Sequence, residues 1–224
     1  MARNKSVKSV VDRGSARKGE FRLRDYKIVA GSKNTEVVHK ESGCRFLLDP
    51  CKVYFSQREG TERMRITGMI KNNETVMVFF AGAGPFAIAI SKHSRAGKIV
   101  GIEINPKAVG YFKKNIELNK LQNVTAVLGD VKEKAPAFYG KCSRVIMPLP
   151  ETSMEYLEEA ILCLKPDGIC HLYCFSKEEK LKDVKKEIAK RSKKIGKSVR
   201  FIGIQRVLPY GPGIYKYRID FVIE

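Results

Sequence analysis

The residues best suited to chemistry gather around one short loop. The apolar run Val76–Phe80 passes into Ala81-Gly82-Ala83-Gly84-Pro85-Phe86. Glycine lets the backbone turn sharply at a strand's carboxyl end and lets a ligand approach it closely. Glu103, in Gly-Ile-Glu-Ile-Asn-Pro, follows at about the 20-residue distance where an acid bonds ribose hydroxyls. Asp130, after Leu128-Gly129, falls just past the next strand, where a carboxylate can bond an adenine amine. The plain alternatives are a tight turn, a solvated glutamate and a helix-capping aspartate. The order strand, loop, helix, strand, acid favours a nucleoside site. Gly82-x-Gly84-x-x-Ala87 also fits the dinucleotide pattern. Pro85 argues against it, because proline removes a backbone donor where a pyrophosphate would meet the helix N-terminus. An adenosyl cofactor without phosphates does not need that donor.

The elements that must carry these residues alternate. Strands are expected at Val76–Phe80, Lys98–Glu103, Val124–Leu128, Arg144–Met147 and Gly168–Phe175. Helices are expected at Phe86–Ser94, Pro106–Asn119, Ser153–Leu164 and Lys177–Gly196. Val199–Val207 and Tyr217–Ile223 close the chain as two strands with no helix between them. This predicts an α/β fold, a doubly wound Rossmann-like sheet with an antiparallel end, which suits methyltransferases by fold analogy. Upstream, Tyr26–Ala30, Thr35–His39, Arg45–Leu48 and Lys52–Phe55 read as short strands of a small β-rich appendage, residues 20–60. Residues 61–72 read as a connecting helix and 73–224 as the main domain. Residues 1–19 are basic and lack aromatics, which predicts a mobile arm.

Composition bounds the partners. Lys and Arg number 43 against 24 Asp and Glu, a formal charge of +19. That excess points to a polyanion, with nucleic acid before an anionic membrane surface. No apolar run is long enough for a membrane span, and the N-terminus shows no hydrophobic signal core. A soluble, cytoplasmic chain is expected. The six cysteines show no CxxC spacing and the three histidines sit apart from them, so no metal site is expected.

Several spaced motifs resemble one family. They are Tyr54-Phe55-Ser56, Thr61-Glu62-Arg63, Phe80 to Phe86, Ile102-Glu103-Ile104-Asn105-Pro106, Arg144 to Pro150, and Arg206-Val207-Leu208-Pro209-Tyr210-Gly211-Pro212. Together they resemble the archaeal and eukaryotic tRNA (guanine-37-N1) methyltransferases, over about residues 20–224. The related wybutosine-pathway aminocarboxypropyl transferases share much of the pattern. The resemblance implies S-adenosylmethionine as cofactor, tRNA as partner, no DNA, and a monomer. It implies Glu62 as the base that takes the guanine N1 proton and Arg22 as the cation that steadies O6. It also implies cofactor contacts at Tyr54, Arg63, Phe80, Ala81, Gly82, Gly84, Pro85, Glu103, Ile104, Asp130, Val131, Pro148 and Pro150. The sequence departs from the family pattern at Val78, Ser143 and Pro148, where Asp, Asp and Asn are usual. Aminocarboxypropyl transfer and a catalytically lapsed RNA-binding member therefore stand as alternatives to methyl transfer.

Overall fold

The computed structural model describes residues 7–16, 18–19 and 21–224. Its centre is a seven-stranded sheet in the order β10-β11-β9-β8-β5-β6-β7. Strands β5 (Thr75–Phe79), β6 (Lys98–Glu103), β7 (Val124–Leu128), β8 (Cys142–Met147) and β9 (Leu164–Ser176) run parallel. Strand β11 (Ile214–Ile223) is antiparallel to β9, and β10 (Val199–Gly211) is antiparallel to β11. The order reverses between β5 and β8, and a crevice opens outside the strand ends at such a point.

Side chains of β5 alternate between two cores. Val76 and Val78 pack with α1 (Gly60–Gly68), α2 (Pro85–His93) and α3 (Pro106–Leu118) through Ile66, Phe86, Ile88 and Phe112. Met77 and Phe79 pack on the other face with α4 (Val131–Lys134), α5 (Leu157–Cys163) and α6 (Leu181–Lys194) through Val131, Leu157, Ile161 and Ile188. Helices thus cover both faces, as continuous apolar parallel strands require.

The appendage differs in two places from the sequence expectation. Residues 9–13 of the expected arm form a strand, β1 (Ser9–Arg13), paired antiparallel with β2 (Tyr26–Gly31). Residues 1–6 and 17 of that arm lie outside the described residues. Lys52–Phe55 is not a strand. The Asp49 carbonyl accepts from the amides of Lys52 and Val53, and its Oδ1 accepts from the Cys51 amide, so an aspartate-led turn takes these backbone groups.

Strand β3 (Val37–Glu41) pairs with β4 (Cys44–Leu48), and α3 closes the open edge of β4. Asn115 Oδ1 accepts from the Leu47 amide at 2.6 Å, and its Nδ2 donates to the Leu47 carbonyl at 3.1 Å. Asn119 repeats the pattern on Arg45, at 2.9 and 2.6 Å. Positions i and i+4 of a helix thus meet i and i−2 of a strand, and the two amides stand in for a neighbouring strand's backbone. The hairpin consequently shares a core with the main sheet through Cys44, Phe46 and Leu48.

Candidate active-site cleft

The crevice at the reversal point is two adjoining cavities of about 240 and 640 Å³. They share Arg22, Phe80, Ile104, Leu149 and Tyr210 as lining. The loop after β5 shapes its floor. Phe80 and Gly82 have φ of 54° and 57°, so the chain turns back at once, and the Ala81 amide donates to the Ile102 carbonyl on β6. Pro85 then starts α2 at a position that needs no amide donor.

Glu103 ends β6 and lines the first cavity. Its Oε2 accepts from the Gly82 amide and its Oε1 from the Asn105 amide, both at 2.8 Å. Loop and acid therefore hold each other. Asp130 and Val131 line the second cavity with Phe80 and Ile104. Asp130 also caps α4, Oδ1 accepting from the Lys132 amide at 2.6 Å. The capping and cavity-lining readings of Asp130 hold together.

Tyr54, Arg63, Ala81, Gly82, Pro85, Pro148 and Pro150 line the first cavity. Arg22 sits between the two cavities. It has φ of 54°, a conformation disfavoured for residues other than glycine. Its Nη2 donates to Glu151 Oε1 at 2.6 Å and its guanidinium lies 5.0 Å from the centre of the Tyr54 ring. Appendage and main sheet meet there. Arg63 forks onto Glu41 at 2.8 and 2.5 Å and also donates to the Ser56 carbonyl. Burial works against the Glu41 charge, yet Arg63 holds its carboxyl below the usual range. That clamp ties β3 to α1 and shapes the Tyr54–Ser56 segment.

Two expected site residues lie elsewhere. Gly84 does not line either cavity. A Cβ there would stand 2.1 Å from the Phe112 ring, so the close approach to α3 by itself demands glycine. Glu62 is 1% exposed and lies behind the cleft wall. Its Oε1 accepts from the Tyr173 hydroxyl at 2.7 Å and from Arg218 Nη1, and Oε2 faces Arg65 at 3.4 Å.

The residues behind that wall form a buried polar ladder. Arg218 also forks onto Asp220 at 2.8 and 3.0 Å. Asp220 bonds His171 Nδ1 at 2.6 Å, and Arg144 Nη1 lies 2.6 Å from His171 Nε2. Arginine can only donate, so Nε2 accepts and Nδ1 carries the proton. Burial also lowers the His171 pKa, which agrees with a neutral ring. Burial opposes the charges on both Arg218 and Asp220. Asp220 nonetheless holds the Arg218 pKa above its usual value, and His171 first, then Arg218, holds the Asp220 carboxyl below the usual range.

Glu59 does face the cleft. It is 8% exposed and pairs with Lys216 Nζ at 3.0 Å. Lys216, 4% exposed, also lines the cleft, donates to the Pro148 carbonyl at 2.9 Å and lies 4.7 Å over the Tyr173 ring. Burial lowers its pKa, against the pull of Glu59. A signal for this pair was present in the chain. Lys216, Arg218 and Asp220 alternate with Tyr217, Ile219 and Phe221, so one face of an inner strand carries charge. Glu59 and Glu62, one helical turn apart, match the first two cations.

A doubly wound sheet with an antiparallel end and an acid-lined crevice at its reversal point defines a Rossmann-like methyltransferase fold. The TRM5/TYW2 methyltransferase domain matches residues 37–201, and the chain belongs to that family. It is 40% identical over 229 residues to tRNA (guanine(37)-N(1))-methyltransferase Trm5b of Pyrococcus abyssi, covering 99% of this chain and 66% of that protein. It is 34% identical over 207 residues to the tRNA(Phe) (4-demethylwyosine(37)-C(7)) aminocarboxypropyltransferase of Methanocaldococcus jannaschii, covering 92% and 82%. A crystal structure of M. jannaschii TYW2 in complex with AdoMet superposes with a TM-score of 0.84 at 32% identity, over 89% of this chain and 90% of that one. The chain thus spans just under two thirds of the Trm5b relative.

Proposed function

We propose that this protein transfers a methyl group from S-adenosylmethionine to N1 of guanine at position 37 of tRNA. The observation that carries the reading is the continuous cleft at the β5/β8 reversal, with Glu103 lining one part, Asp130 the other and Arg22 between them. The cofactor fits the residues present. Glu103 would hold the ribose hydroxyls and Asp130 the adenine amine, while Phe80, Ile104, Pro148 and Pro150 offer apolar walls. When bound, S-adenosylmethionine supplies the methyl group, the S–C bond breaking as N1–C forms and sulfur keeping the electron pair.

The chain's own residues have two tasks. Guanine N1 carries a proton at neutral pH and must lose it to become nucleophilic. Charge then grows on O6 and needs a fixed cation. Arg22, already strained into place and held by Glu151 and Tyr54, supplies that cation. Tyr210, stacked on Phe175 with ring centres 3.8 Å apart, offers an exposed aromatic rim where an unstacked base can rest. The net charge of +19 suits a tRNA partner. A cytoplasmic place of action follows from that substrate. The test is mass spectrometry of nucleosides from unmodified tRNA incubated with protein and S-adenosylmethionine. N1-methylguanosine is expected. An aminocarboxypropyl adduct, or no product, overturns the reading.

A further inference from the structure

We propose that Arg218 is a positioning residue for methyl transfer, and that with the Tyr173 hydroxyl it fixes the carboxylate of Glu62, the group that takes the guanine N1 proton. The inference rests on the methyl-transfer reading above and on Glu62 as its proton acceptor. It starts from how the carboxylate is held. Glu62 Oε1 accepts from Arg218 Nη1 and from the Tyr173 hydroxyl at 2.7 Å. Oε2 faces the half-exposed Arg65 at 3.4 Å. The two oxygens are unequal: two donors use the lone pairs of Oε1, whereas Oε2 keeps room for a proton. Glu62 follows Glu59 by one helical turn and precedes Arg63, and both of these line the cleft. Guanine N1 reaches Oε2 once the side chains in front of it yield, so the geometry of the transfer depends on what holds Glu62 from the sheet.

Arg218 suits that task because it is itself locked. Its Nε and Nη2 fork onto Asp220 at 2.8 and 3.0 Å, and Asp220 is bound to His171 Nδ1 at 2.6 Å. Nη1 is left for Glu62. The side chains of Arg218 and Glu62 are 3% and 1% exposed, so each supplies the opposite charge that a buried ion needs. Arg218 and Tyr173 are also direct partners in the β11–β9 ladder. Both donors to Oε1 therefore come from one rung of an inner pair of strands, a rigid support for a reacting group. Strand β11 lies beyond residues 37–201, where the family domain matches. The proton passes from N1 to Oε2 and then to water, and the N–H electron pair stays on nitrogen for the new N1–C bond. Oε1 keeps its two bonds throughout, so the carboxylate does not turn as it takes the proton.

The experiment is single-turnover methyl transfer to a tRNA transcript at saturating S-adenosylmethionine, with S-adenosylhomocysteine affinity and thermal melting measured alongside. Glu62→Gln is expected to slow the step about 10²-fold or more, the usual range for a lost general base. Asp220 still pairs Arg218 in that variant, so it is expected to fold. Arg218→Met is expected to slow the step about tenfold or more, within the coupling range of residues in contact, with ligand affinity kept. Arg218→Lys is expected to recover part of the loss. The deciding comparison is Glu62→Gln/Arg218→Met. A residue that acts through Glu62 has nothing left to position there, so the double variant is expected to be no slower than Glu62→Gln alone. Losses at independent sites would add. Arg218→Met leaves Asp220 and Glu62 without their cation. If it misfolds, Tyr173→Phe, which keeps the ring and removes only the hydroxyl, carries the same cycle. It is expected to slow the parent about threefold or more and Glu62→Gln no further. An unchanged rate in folded Arg218→Met, or in Tyr173→Phe where that variant carries the test, overturns the proposal while leaving the methyl-transfer reading intact. So do losses that add in the cycle, and so does Glu62→Gln at the parent rate. A parent protein that transfers no methyl group overturns both.

Discussion

At the scale of single residues, the cleft separates ligand contacts from packing requirements. Glu103 joins loop and strand through two backbone amides and faces the cleft. Glu103→Ala should weaken S-adenosylmethionine binding at least tenfold, about 1.4 kcal/mol, by calorimetry. Unchanged affinity would remove this acid from the cofactor site. Gly84→Val should act differently. Its Cβ would enter the Phe112 ring, and a β-branched residue would sit at φ of 85°. The loss should be more than about 2 kcal/mol of stability in a urea melt. A fully stable Gly84→Val with no cofactor binding would return the residue to ligand approach. His171 gives a pH test. Burial lowers its pKa from 6.5, despite Asp220, while Arg144 and Arg218 lower it further. Below about pH 6.5 the unfolded chain takes up a proton that the native ring does not. The unfolded state then binds more protons, so stability falls as pH drops. Between pH 7.5 and 5.5 the parent should lose more stability than His171→Gln. Equal slopes would contradict the neutral ring.

At the scale of elements, the parallel core was legible because its signals are local. Val76–Phe80 and Lys98–Glu103 are short apolar runs bounded by glycine, proline or charge. The structure moves their ends by one residue or none. The errors came where a distant partner decides. Residues 9–13 become a strand only because β2 offers its edge, and Lys52–Phe55 fails to be one because Asp49 captures its amides. The site shows the same division. The acid at Glu103 follows from spacing along one chain segment. Whether Glu59 or Glu62 faces the cleft depends on which residue β11 presents to α1, and that register is tertiary. The Asn115 and Asn119 pairing with β4 was equally hidden. Asn115 serves the Leu47 amide and carbonyl and the Ala83 carbonyl. Asn115→Leu should therefore cost about 2–3 kcal/mol, because it strands buried backbone groups. A melt within 0.5 kcal/mol of the parent, on the order of a neutral surface change, would show that α3 does not hold the hairpin this way.

At the scale of the whole molecule, the charge of +19 is not aimed uniformly at the cleft. Strand β9 ends at the cleft with Phe175, and α6 runs back from there for about 20 Å. Lys193, Lys194 and Lys197 therefore lie at the far edge of the sheet. Arg22 and Arg58 line the cleft itself. In salt titrations, log affinity for tRNA should fall linearly with log salt. Lys193→Gln/Lys194→Gln/Lys197→Gln should leave affinity within about twofold, whereas Arg58→Gln should reduce the slope by about one, as for one lost phosphate contact. A large loss from the triple variant would mean that tRNA wraps behind the sheet. The central claim is transfer to guanine N1 within this cleft. Its most direct measurement is labelled methyl transfer from S-adenosylmethionine to two tRNA transcripts that differ only in guanine or adenine at position 37. Label on the guanine transcript alone, recovered as N1-methylguanosine, is the predicted result. Equal label on both, or label at another nucleoside, would contradict it.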